Sequence, residues 1–441
     1  MGSRSADEPS EGPTSRIPGF YLMPPEERLD TLERARVLDE EDRAAYGAGG
    51  LTVAAADLMI ENVISTFALP NAVAVNLRVN GEDRVVPMVV EEPSVVAAVS
   101  NMARLARPAG GFAADSDPSV MIGQVQVMEV TDPEACVARL REALPRLKAI
   151  AATVHPRLPT YGGGLRGMEV RHVVYDEPGY PREDMVVLHF HLDCADAMGA
   201  NMVNTVAEHL TPHVEAITGE TVGLRILSNL ADRRLSRASV RLRPEHLSTE
   251  DMPGDEVAAR IVGAWRFAWA DPWRAATHNK GVMNGIDAVA LATGNDWRAI
   301  EAGVHAHAAR NGQYRPVTVW RLEPDGLLVG SIEVPLQMGT VGGPSRVHPT
   351  VQSNLRMLGA RGARDLANVT AAVGLAQNLG ALRALATEGI QAGHMRMHAR
   401  CVAAAAGAER DEVEAVTAVL CEQGNYSVEH ARQVLGALRG G

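Results

Sequence analysis

Residues 185–205, with the sequence MVVLHFHLDCADAMGANMVNT, decide the fold of this chain. Four apolar residues between Val186 and Leu192 alternate with polar ones, and this period of two predicts a half-buried β-strand. The small residues after Asp196 predict a tight turn that leads into a helix. The segment therefore predicts a strand, a turn and a helix in direct succession.

Strands and helices also alternate on both sides of this segment. The alternation around Val125 predicts a strand, Asp132-Pro133 predicts the start of a helix, and segments 168–175 and 222–228 have the pattern of strands. The order strand-helix-strand-strand-helix-strand is that of a ferredoxin-like unit. A Rossmann domain is not predicted, because the sequence lacks both the long parallel series and the GxGxxG fingerprint.

The rest of the chain predicts a larger, helix-rich unit. A β-hairpin is expected over 73–90, where Asn80-Gly81 suits a type I′ turn and Pro87 places the second strand at a sheet edge. A helix is expected to start with Pro93 in its first turn, and a long helix is expected over 362–387. The predicted fold class is α+β. It comprises a discontinuous helical large domain, an inserted small ferredoxin-like α+β nucleotide-binding domain and a C-terminal helical flap.

These patterns also give the expected domain boundaries. They are a disordered tail over 1–17, the first part of the large substrate domain over 18–118, the small nicotinamide-cofactor domain over 119–228, the second part of the large domain over 229–388 and the C-terminal flap over 389–441.

Composition excludes several classes of protein. The net charge of −12 argues against a nucleic-acid-binding protein, because phosphate binding requires a basic surface. Four cysteines without a CxxC pair predict reduced thiols in the cytoplasm. No apolar run reaches the roughly 18–20 residues that span a bilayer, and the polar N-terminus lacks the apolar stretch of a signal peptide.

The basic residues are unequally divided, with 40 arginines and only two lysines, Lys148 and Lys280. A codon bias towards arginine accounts for most of this ratio. A lysine amine can shift its pKa and release a proton, whereas a guanidinium stays charged. A lysine retained in such a chain is therefore a candidate for chemistry that arginine cannot perform.

The first candidate for catalysis is the acidic segment Glu91-Glu92-Pro93-Ser94. A carboxylate at a helix N-terminus is stabilised by the helix dipole, which would explain Glu92 without any catalytic role. As a general acid, Glu92 would instead need burial or a neighbouring carboxylate to raise its pKa. Both interpretations stay open on the sequence alone.

The second candidate is the polar segment 274–284, which contains Arg274, Lys280 and Asn284. One amine, one guanidinium and two amides could hold a carboxylate and polarise a carbonyl, although a solvated loop would have the same composition. Asp296 is explained equally well as a helix cap, and has a catalytic role only if the fold brings it to Lys280.

Two further segments complete the set of candidates. His394 follows two glycines that permit movement, although a lone histidine is often structural. His398 lies at i+4 from His394, but no acidic partner is near, so a metal site is rejected. Residues 196–204 form a small-residue turn before a helix, which either receives a pyrophosphate or simply connects a strand to a helix.

Taken in order, these segments resemble the 3-hydroxy-3-methylglutaryl-coenzyme A (HMG-CoA) reductase family in its shorter bacterial, class II form. The resemblance covers almost the whole chain from about residue 18. It rests on Glu61-Asn62-Val63-Ile64, Met88 to Ser94, DAMGANMVNT at 196–205, RAATHNKG at 274–281, GNDWRA at 294–299, GTVGG at 339–343 and EGIQAGHM at 388–395.

The resemblance implies a four-electron reduction of the thioester HMG-CoA to mevalonate and CoA, with two nicotinamide cofactors. It implies that Glu92 supplies a proton, Lys280 stabilises the oxyanion, Asp296 sets the protonation of both, and His394 protonates the departing CoA thiolate from a mobile flap. It implies substrate positioning by Ser94, Arg274 and Asn284. The implied nucleotide contacts are Asp196, Met198, Gly199, Asn201 and Asn204.

The resemblance also bears on the cofactor. Family members that use NADH carry an acidic residue in the connector before the Gly-Gly-Gly run, where this chain has His155-Pro156-Arg157. Cationic or neutral groups suit the 2′-phosphate better than a carboxylate does, so NADPH is expected, with NADH as the alternative. The chain departs from the family at Ser65, which replaces a glycine.

The resemblance implies a homodimer or a trimer of dimers, with active sites built across a subunit interface. HMG-CoA, mevalonate and CoA are the expected partners, without nucleic acid or membrane, in either the biosynthetic or the catabolic direction. Two alternatives are a non-catalytic acyl-CoA or nucleotide-binding relative and a simple nicotinamide-dependent dehydrogenase. The first would lose the acid–base residues that are present here, and the second would carry a Rossmann fingerprint.

Overall fold

The computed structural model describes residues 14–387 and 389–440. Positions 1–13 of the predicted tail lie outside these residues, whereas its last residues are described and contact the rest of the chain. Ser15 is fully buried, its hydroxyl donates to the Leu77 carbonyl at 2.8 Å, and its own carbonyl accepts from the Asn76 N–H at 2.7 Å. These hydrogen bonds attach the chain to a strand before residue 18.

The described residues form two β-sheets surrounded by helices. The strands are β1 (Asn71–Val79), β2 (Glu82–Val89), β3 (Phe112–Ser116), β4 (Val120–Met128), β5 (Gly164–Tyr175), β6 (Glu183–Asp193), β7 (Thr221–Ser228), β8 (Leu235–Leu242), β9 (Thr318–Leu322) and β10 (Leu328–Pro335). The helices are α1 (Pro25–Arg34), α2 (Glu40–Gly47), α3 (Val53–Asp57), α4 (Val95–Ala106), α5 (Pro133–Val154), α6 (Ala200–Thr218), α7 (Gly254–Ala270), α8 (Pro272–Ala292), α9 (Trp297–Ala308), α10 (Pro349–Leu358), α11 (Ala363–Ala386), α12 (Ile390–Ala405), α13 (Arg410–Gln423) and α14 (Val428–Gly440).

The smaller sheet confirms the ferredoxin-like prediction. Its four antiparallel strands lie in the order β5-β6-β4-β7, and the chain runs β4-α5-β5-β6-α6-β7. The helices α5 and α6 bury one face of the sheet in a core of their own, with Leu140, Leu188 and Leu210 among its fully buried residues. The alternation of apolar residues over 185–193 therefore correctly predicted an interior strand of this sheet.

The larger sheet contains strands from both sides of this unit. Its six strands lie in the order β2-β1-β3-β8-β10-β9, so β1 to β3 precede the four-stranded sheet and β8 to β10 follow it. This arrangement confirms a discontinuous large unit with an inserted smaller one, within the described residues. The residue boundaries of the predicted domains stay predictions.

The first two strands form the predicted hairpin. Asn80 and Gly81 both have positive φ, 51° and 83°, as a type I′ turn requires, and β2 with Pro87 is an edge strand. The helix after the hairpin differs from its prediction in one detail. It begins at Val95, so Pro93 lies before the N-cap residue Ser94 rather than in the first turn.

The long helix predicted over 362–387 is α11, and it packs along α8 through glycines. A Cβ atom at Gly285 would lie 2.9 Å from Cβ of Gln377, and one at Gly374 would lie 2.9 Å from Cγ1 of Ile286. Side chains larger than glycine would therefore separate the two helices. This close approach fixes the position of α8, which carries the second candidate segment.

Helices α12 to α14 form a separate small core at the C-terminus, with Ala399, Val416, Leu420 and Ala431 fully or almost fully buried. The flap expected over 389–441 coincides with these helices, up to residue 440. Among the described residues, no helix is both long and apolar enough to span a membrane.

Candidate active site

Lys280 and Glu92 meet in the structure although they lie far apart in the sequence. The Lys280 Nζ donates to Oε2 of Glu92 at 2.5 Å, and the Asn284 Nδ2 donates to Oε1 of the same carboxylate at 3.3 Å. The Lys280 side chain is 59% exposed and that of Glu92 is 31% exposed, so this pair faces open space where a substrate can reach it. The fold therefore brings three predicted site residues together.

The segment that carries Lys280 is helical, which rules out the interpretation of 277–281 as a solvated loop. All of it lies inside α8, and His278 and Asn279 are buried. The Asn279 side chain accepts from the Val317 N–H at 3.0 Å and donates to the Arg315 carbonyl at 2.9 Å. These hydrogen bonds hold α8 in a fixed rotation, with Lys280 on its exposed side.

His278 anchors the same helix from its buried face. Its Nε2 lies 2.6 Å from Oγ1 of Thr318 on β9 and 3.2 Å from Nδ2 of Asn378 on α11. Burial, with a smaller effect of the Arg274 charge, lowers the pKa of His278 to about 3, so the ring is neutral at physiological pH. His278 therefore has a structural role beside Lys280.

Ser94 has an unusual backbone conformation next to Glu92. Its φ of 72° lies in the left-handed region, which residues other than glycine seldom adopt, and its side chain makes no capping hydrogen bond to α4. The Ser94 hydroxyl therefore does not cap α4 and lies close in sequence to the Glu92 carboxylate.

Arg274 lies in the first turn of α8, where its backbone N–H donates to Asp271, and burial lowers the pKa of its guanidinium.

Asp296 lies apart from Lys280 within one chain. It is the N-cap of α9, where its Oδ1 accepts from the Ala299 N–H at 3.2 Å and lies 3.1 Å from the Arg298 guanidinium. Lys280 is near the middle of α8. The helix continues to Ala292, about 18 Å further along its axis at 1.5 Å per residue, and Asp296 follows this helix end. A single chain therefore does not form the predicted Glu92–Lys280–Asp296 cluster.

We name residues 194–199, the turn before α6 that is predicted to contact the nucleotide, the cofactor turn. Gly199 has a φ of 105°, and a Cβ atom there would lie 2.3 Å from Sγ of Cys194, so only glycine fits. No side chain caps α6, which leaves its first backbone N–H groups open to an anion. This arrangement fits a pyrophosphate.

Two other predicted cofactor residues lie at the same helix end. The His155 Nε2 lies 3.0 Å from the Met202 carbonyl in the first turn of α6, so the connector and the cofactor turn are neighbours. Arg157 is exposed in this connector. Asn204, by contrast, accepts from the Leu227 N–H on β7 at 3.0 Å, which gives its side chain a structural partner.

Segment 339–343, which carried part of the family resemblance, contacts both the cofactor turn and the turn before α9. The Asn295 Oδ1 accepts from the Gly339 N–H at 2.7 Å, and a Cβ atom on Gly339 would lie 2.6 Å from the Met198 nitrogen. Gly339 therefore lies between the turn that carries Asp296 and the cofactor turn of the same chain. Met198 and Asn201 lie at this junction and in the first turn of α6, respectively.

The fourth predicted catalytic residue, His394, is the fifth residue of α12, the first helix after α11. Its side chain lies outside the described part of the chain, so its role as an acid stays a prediction. Ser65 lies in an irregular, exposed segment whose apolar neighbours Ile64 and Phe67 are 94% and 90% exposed.

Sequence reasoning missed a pair of carboxyl groups formed by Asp287 on α8, the helix that carries Lys280, and Glu301 on α9. Burial, followed by hydrogen bonding and charge repulsion from Glu301, raises the pKa of Asp287 to about 9. Glu301 in turn lies 2.6 Å from the His305 ring, whose Nδ1 is 2.7 Å from the Tyr314 hydroxyl. The only sequence signal was an aspartate at i+3 from Asn284, which is common on exposed helix faces.

An ammonium held against a carboxylate, together with an uncapped helix end in a fold without a Rossmann domain, is compatible with an oxidoreductase that uses a dinucleotide. Comparison with known proteins identifies which one. The model of the hydroxymethylglutaryl-coenzyme A reductase family matches residues 24–399. The chain therefore belongs to the HMG-CoA reductase family of oxidoreductases, as the sequence motifs predicted.

Individual relatives agree with this assignment. The chain is 46% identical over 426 residues to the HMG-CoA reductase of Archaeoglobus fulgidus, which covers 97% of this chain and 95% of the relative. An HMG-CoA reductase structure from Streptococcus pneumoniae superimposes with a TM-score of 0.80 at 39% identity, covering 96% of this chain and 99% of that one. A class II structure from the same organism, bound to NADPH in open conformations, has a TM-score of 0.79 at 40% identity and covers 95% and 100% of the two chains.

Proposed function

We propose that this chain reduces HMG-CoA to mevalonate and CoA, with two equivalents of NADPH supplying the hydrides. The contact between Lys280 and Glu92 carries the proposal, because it places a proton-donating amine and a carboxyl group at one exposed position. A simple dehydrogenase and a silent relative are both less consistent with the structure. The dehydrogenase would not need the acyl-CoA-reductase motifs, and the silent relative would not need to retain both groups.

Lys280 would act on the carbonyl oxygen. Each reduction step puts negative charge on this oxygen, and an ammonium at hydrogen-bond distance stabilises that charge more in the transition state than in the ground state. Glu92, which touches Lys280, is placed to give a proton to the oxygen at the aldehyde level. Asn284 holds the other carboxylate oxygen and so orients Glu92.

His394 would serve a different step, the departure of CoA. A thiolate whose ordinary pKa is about 8.5 leaves more readily when a side chain such as histidine protonates it. Its place on α12, after the Gly389 junction, suits a group that approaches the site only when needed.

A large cavity supports the binding of an anionic thioester. It measures about 1380 Å³, and its lining combines apolar residues of the N-terminal segment with five arginines at positions 16, 28, 78, 104 and 107. Val96 and Ala97 also line it, and they lie in the first turn of α4 directly after Ser94. We place the phosphates of CoA here, because guanidinium groups bind phosphates strongly.

If the phosphates bind in this cavity, Arg104→Ala should raise the KM for HMG-CoA without changing the KM for the cofactor.

The cofactor expected at α6 is NADPH. The helix end is open to the pyrophosphate, and the connector with His155 and Arg157 offers cationic or neutral groups to a 2′-phosphate. The NADPH bound by the Streptococcus pneumoniae relative supports this choice.

Two subunits would share each active site. Lys280 and Asp296 are about a half-helix apart in one chain, so both can serve one substrate only if they come from different subunits. The exposed apolar segment with Leu58, Ile64 and Phe67 provides a surface for a second copy. A homodimer or a trimer of such dimers, located in the cytoplasm, follows as part of the proposal.

The stoichiometry of the reaction tests the proposed function directly. Purified protein is mixed with HMG-CoA and NADPH, and the loss of nicotinamide absorbance is compared with the mevalonate formed. Two cofactors consumed per mevalonate are expected. A ratio near one, or oxidation that does not depend on the thioester, would contradict the assignment.

A further inference from the structure

We infer that Asp196 is a positioning residue that fastens the cofactor turn to α11 and so couples cofactor binding to the helix that carries Lys280. This inference rests on the proposed function, because it assumes that the turn binds the cofactor and that Lys280 serves the thioester. It assigns the Asp196 carboxylate a role beyond nucleotide contact.

The carboxylate of Asp196 contacts the first residue of α11. Its Oδ1 accepts from the Ala363 N–H at 2.8 Å, so an aspartate of the small unit caps a helix of the large unit. Gly362 is shaped for this contact: a Cβ atom there would lie 2.5 Å from the same oxygen, and its φ of 131° also favours glycine. Asp196 is otherwise exposed, so its second oxygen is open to a bound molecule.

The backbone of the cofactor turn is fastened to the large unit as well. The Asp196 carbonyl accepts from the Thr340 N–H at 2.9 Å, and Ala197 forms a parallel bridge with Val341. The buried Arg234 donates to the carbonyls of Ala197 and Met198, and also to that of Met338. The turn is therefore held to segment 338–341 through its backbone and to α11 through the Asp196 carboxylate.

The other end of this connection is α8. The helix α11 is 24 residues long, which corresponds to about 36 Å, and it packs on Gly281 and Gly285, which directly follow Lys280 and Asn284. A Cβ atom on Gly281 would lie 3.7 Å from that of Ala381, and Gly285 is approached even more closely from α11. Tightly packed helices move as rigid bodies, so a displacement of α11 reaches Lys280.

The composite dimer gives this connection a specific consequence. In the proposed assembly, the cofactor turn lies with Asp296 in one active site, while Lys280 of the same chain belongs to the other site. Asp196 and α11 would therefore connect the two active sites of a dimer. Cofactor binding at one site is expected to change thioester binding at the other.

The test measures coupling between two ligands in the absence of turnover. Oxidised cofactor, NADP⁺ or NAD⁺ according to which binds more tightly, is titrated with and without saturating HMG-CoA by isothermal calorimetry. In the wild-type protein the thioester should change the cofactor Kd by a factor of about 5 to about 150, the usual range for coupled sites. In Asp196→Ala this factor should fall towards one.

Two variants separate coupling from general damage. Asp196→Asn keeps an oxygen that can accept from Ala363 and should retain most of the factor. Asp132→Ala removes an aspartate cap of the same kind, from the Ala135 N–H at 3.0 Å on α5, and should leave the factor unchanged.

The remaining outcomes would each overturn the inference. An unchanged factor in Asp196→Ala, even with a weaker cofactor Kd, would show that Asp196 only contacts the nucleotide and would overturn the inference. Equal losses in Asp132→Ala, or no coupling in the wild-type protein, would also overturn it. If HMG-CoA does not bind at all, the proposed function fails and the inference fails with it.

Discussion

Lys280 and Asp296 lie at different ends of one stretch of chain, with the second half of α8 between them. The helix continues for twelve residues after Lys280, and Asn295 then folds back so that its N–H donates to the Ala290 carbonyl at 2.8 Å. The Lys280 ammonium contacts Glu92, and the Asp296 carboxylate contacts Arg298. If both residues act on one substrate, they act from different subunits.

This relationship predicts complementation between two inactive variants. Lys280→Ala and Asp296→Ala should each be inactive alone, because each dimer would lack one group at both sites. In a mixed dimer one site receives both substitutions and the other receives none. Randomly mixed subunits should therefore recover about one quarter of wild-type activity, since half of the dimers are mixed and each has one intact site.

The measurement is the rate of HMG-CoA-dependent NADPH oxidation after the two variants are co-expressed with different affinity tags. The mixed dimers, once isolated through both tags, should show about one half of wild-type activity, because one of their two sites is intact. Each variant alone, carried through the same procedure, is the control. If the mixed species stays inactive, both residues act within one chain or one of them is not needed.

Replacement of Lys280 by arginine should keep the charge but lose the activity. A guanidinium forms two parallel hydrogen bonds with a carboxylate, so Arg at this position would hold Glu92 in a fixed pair and would not release a proton. Loss of one group that stabilises an oxyanion typically lowers kcat by about 100-fold to about 1000-fold. A loss in this range is expected for Lys280→Arg.

The other lysine of the chain provides the matched control. Lys148 is exposed on α5, far from the site in sequence and on the small unit, and Lys148→Arg should have near-normal kcat. Steady-state kinetics of both variants at saturating HMG-CoA distinguish the two positions. Near-normal kcat in Lys280→Arg would remove the amine from the mechanism.

The cofactor preference should respond to a single charge at position 155. Asp in place of His155 would put a carboxylate beside the first turn of α6, where the 2′-phosphate of NADPH is expected, and would lose the ring's contact with the Met202 carbonyl. The KM for NADPH should rise at least about tenfold, which corresponds to about 1.4 kcal/mol. The KM for NADH should change much less.

His155→Gln keeps a donor for the Met202 carbonyl without adding charge, and therefore controls for loss of that contact. Initial rates with both cofactors give the ratio of kcat/KM values for each variant. Equal effects of the two substitutions on NADPH, or stronger use of NADH by the wild-type protein, would show that this connector does not meet the phosphate.

The parts of the structure that sequence predicted correctly depend on local patterns. The hairpin follows from Asn80-Gly81, and the ferredoxin-like unit follows from alternating apolar residues and from the cap at Asp132. The helical state of segment 277–281 could not be predicted in this way. It depends on Thr318 and Arg315, which hold His278 and Asn279 from about 40 residues further along the chain.

The candidate site also combines residues that the sequence predicted with contacts that it could not predict. The family resemblance identified Glu92, Lys280 and Asn284, and the fold brings them together. The separation of Asp296 from Lys280 follows from the length of a helix that the sequence did not predict. The partnership of Asp287 with Glu301 had no local signal, because it arises where α9 packs on α8.

The half-buried pair of Asp287 and Glu301 predicts an effect of pH on stability. The pKa of Asp287 is raised in the folded protein to about 9, whereas an unfolded aspartate titrates near about 3.9. The folded state therefore binds a proton that the unfolded state has lost. The stabilisation by this proton is complete below about pH 3.9 and disappears progressively as the pH rises towards 9.

Asp287→Asn replaces the protonated carboxyl with a neutral amide of nearly the same shape that can still donate to Glu301. It should stabilise the protein by about 1 kcal/mol or more at pH 8, and by less at pH 5, because protonating the wild-type residue costs more free energy at the higher pH. Thermal unfolding of both proteins across this range gives the difference. Asp251→Asn, at an exposed position, is the control and should show little change at either pH. A gain in melting temperature that does not grow with pH would mean that Asp287 is ionised in the folded protein.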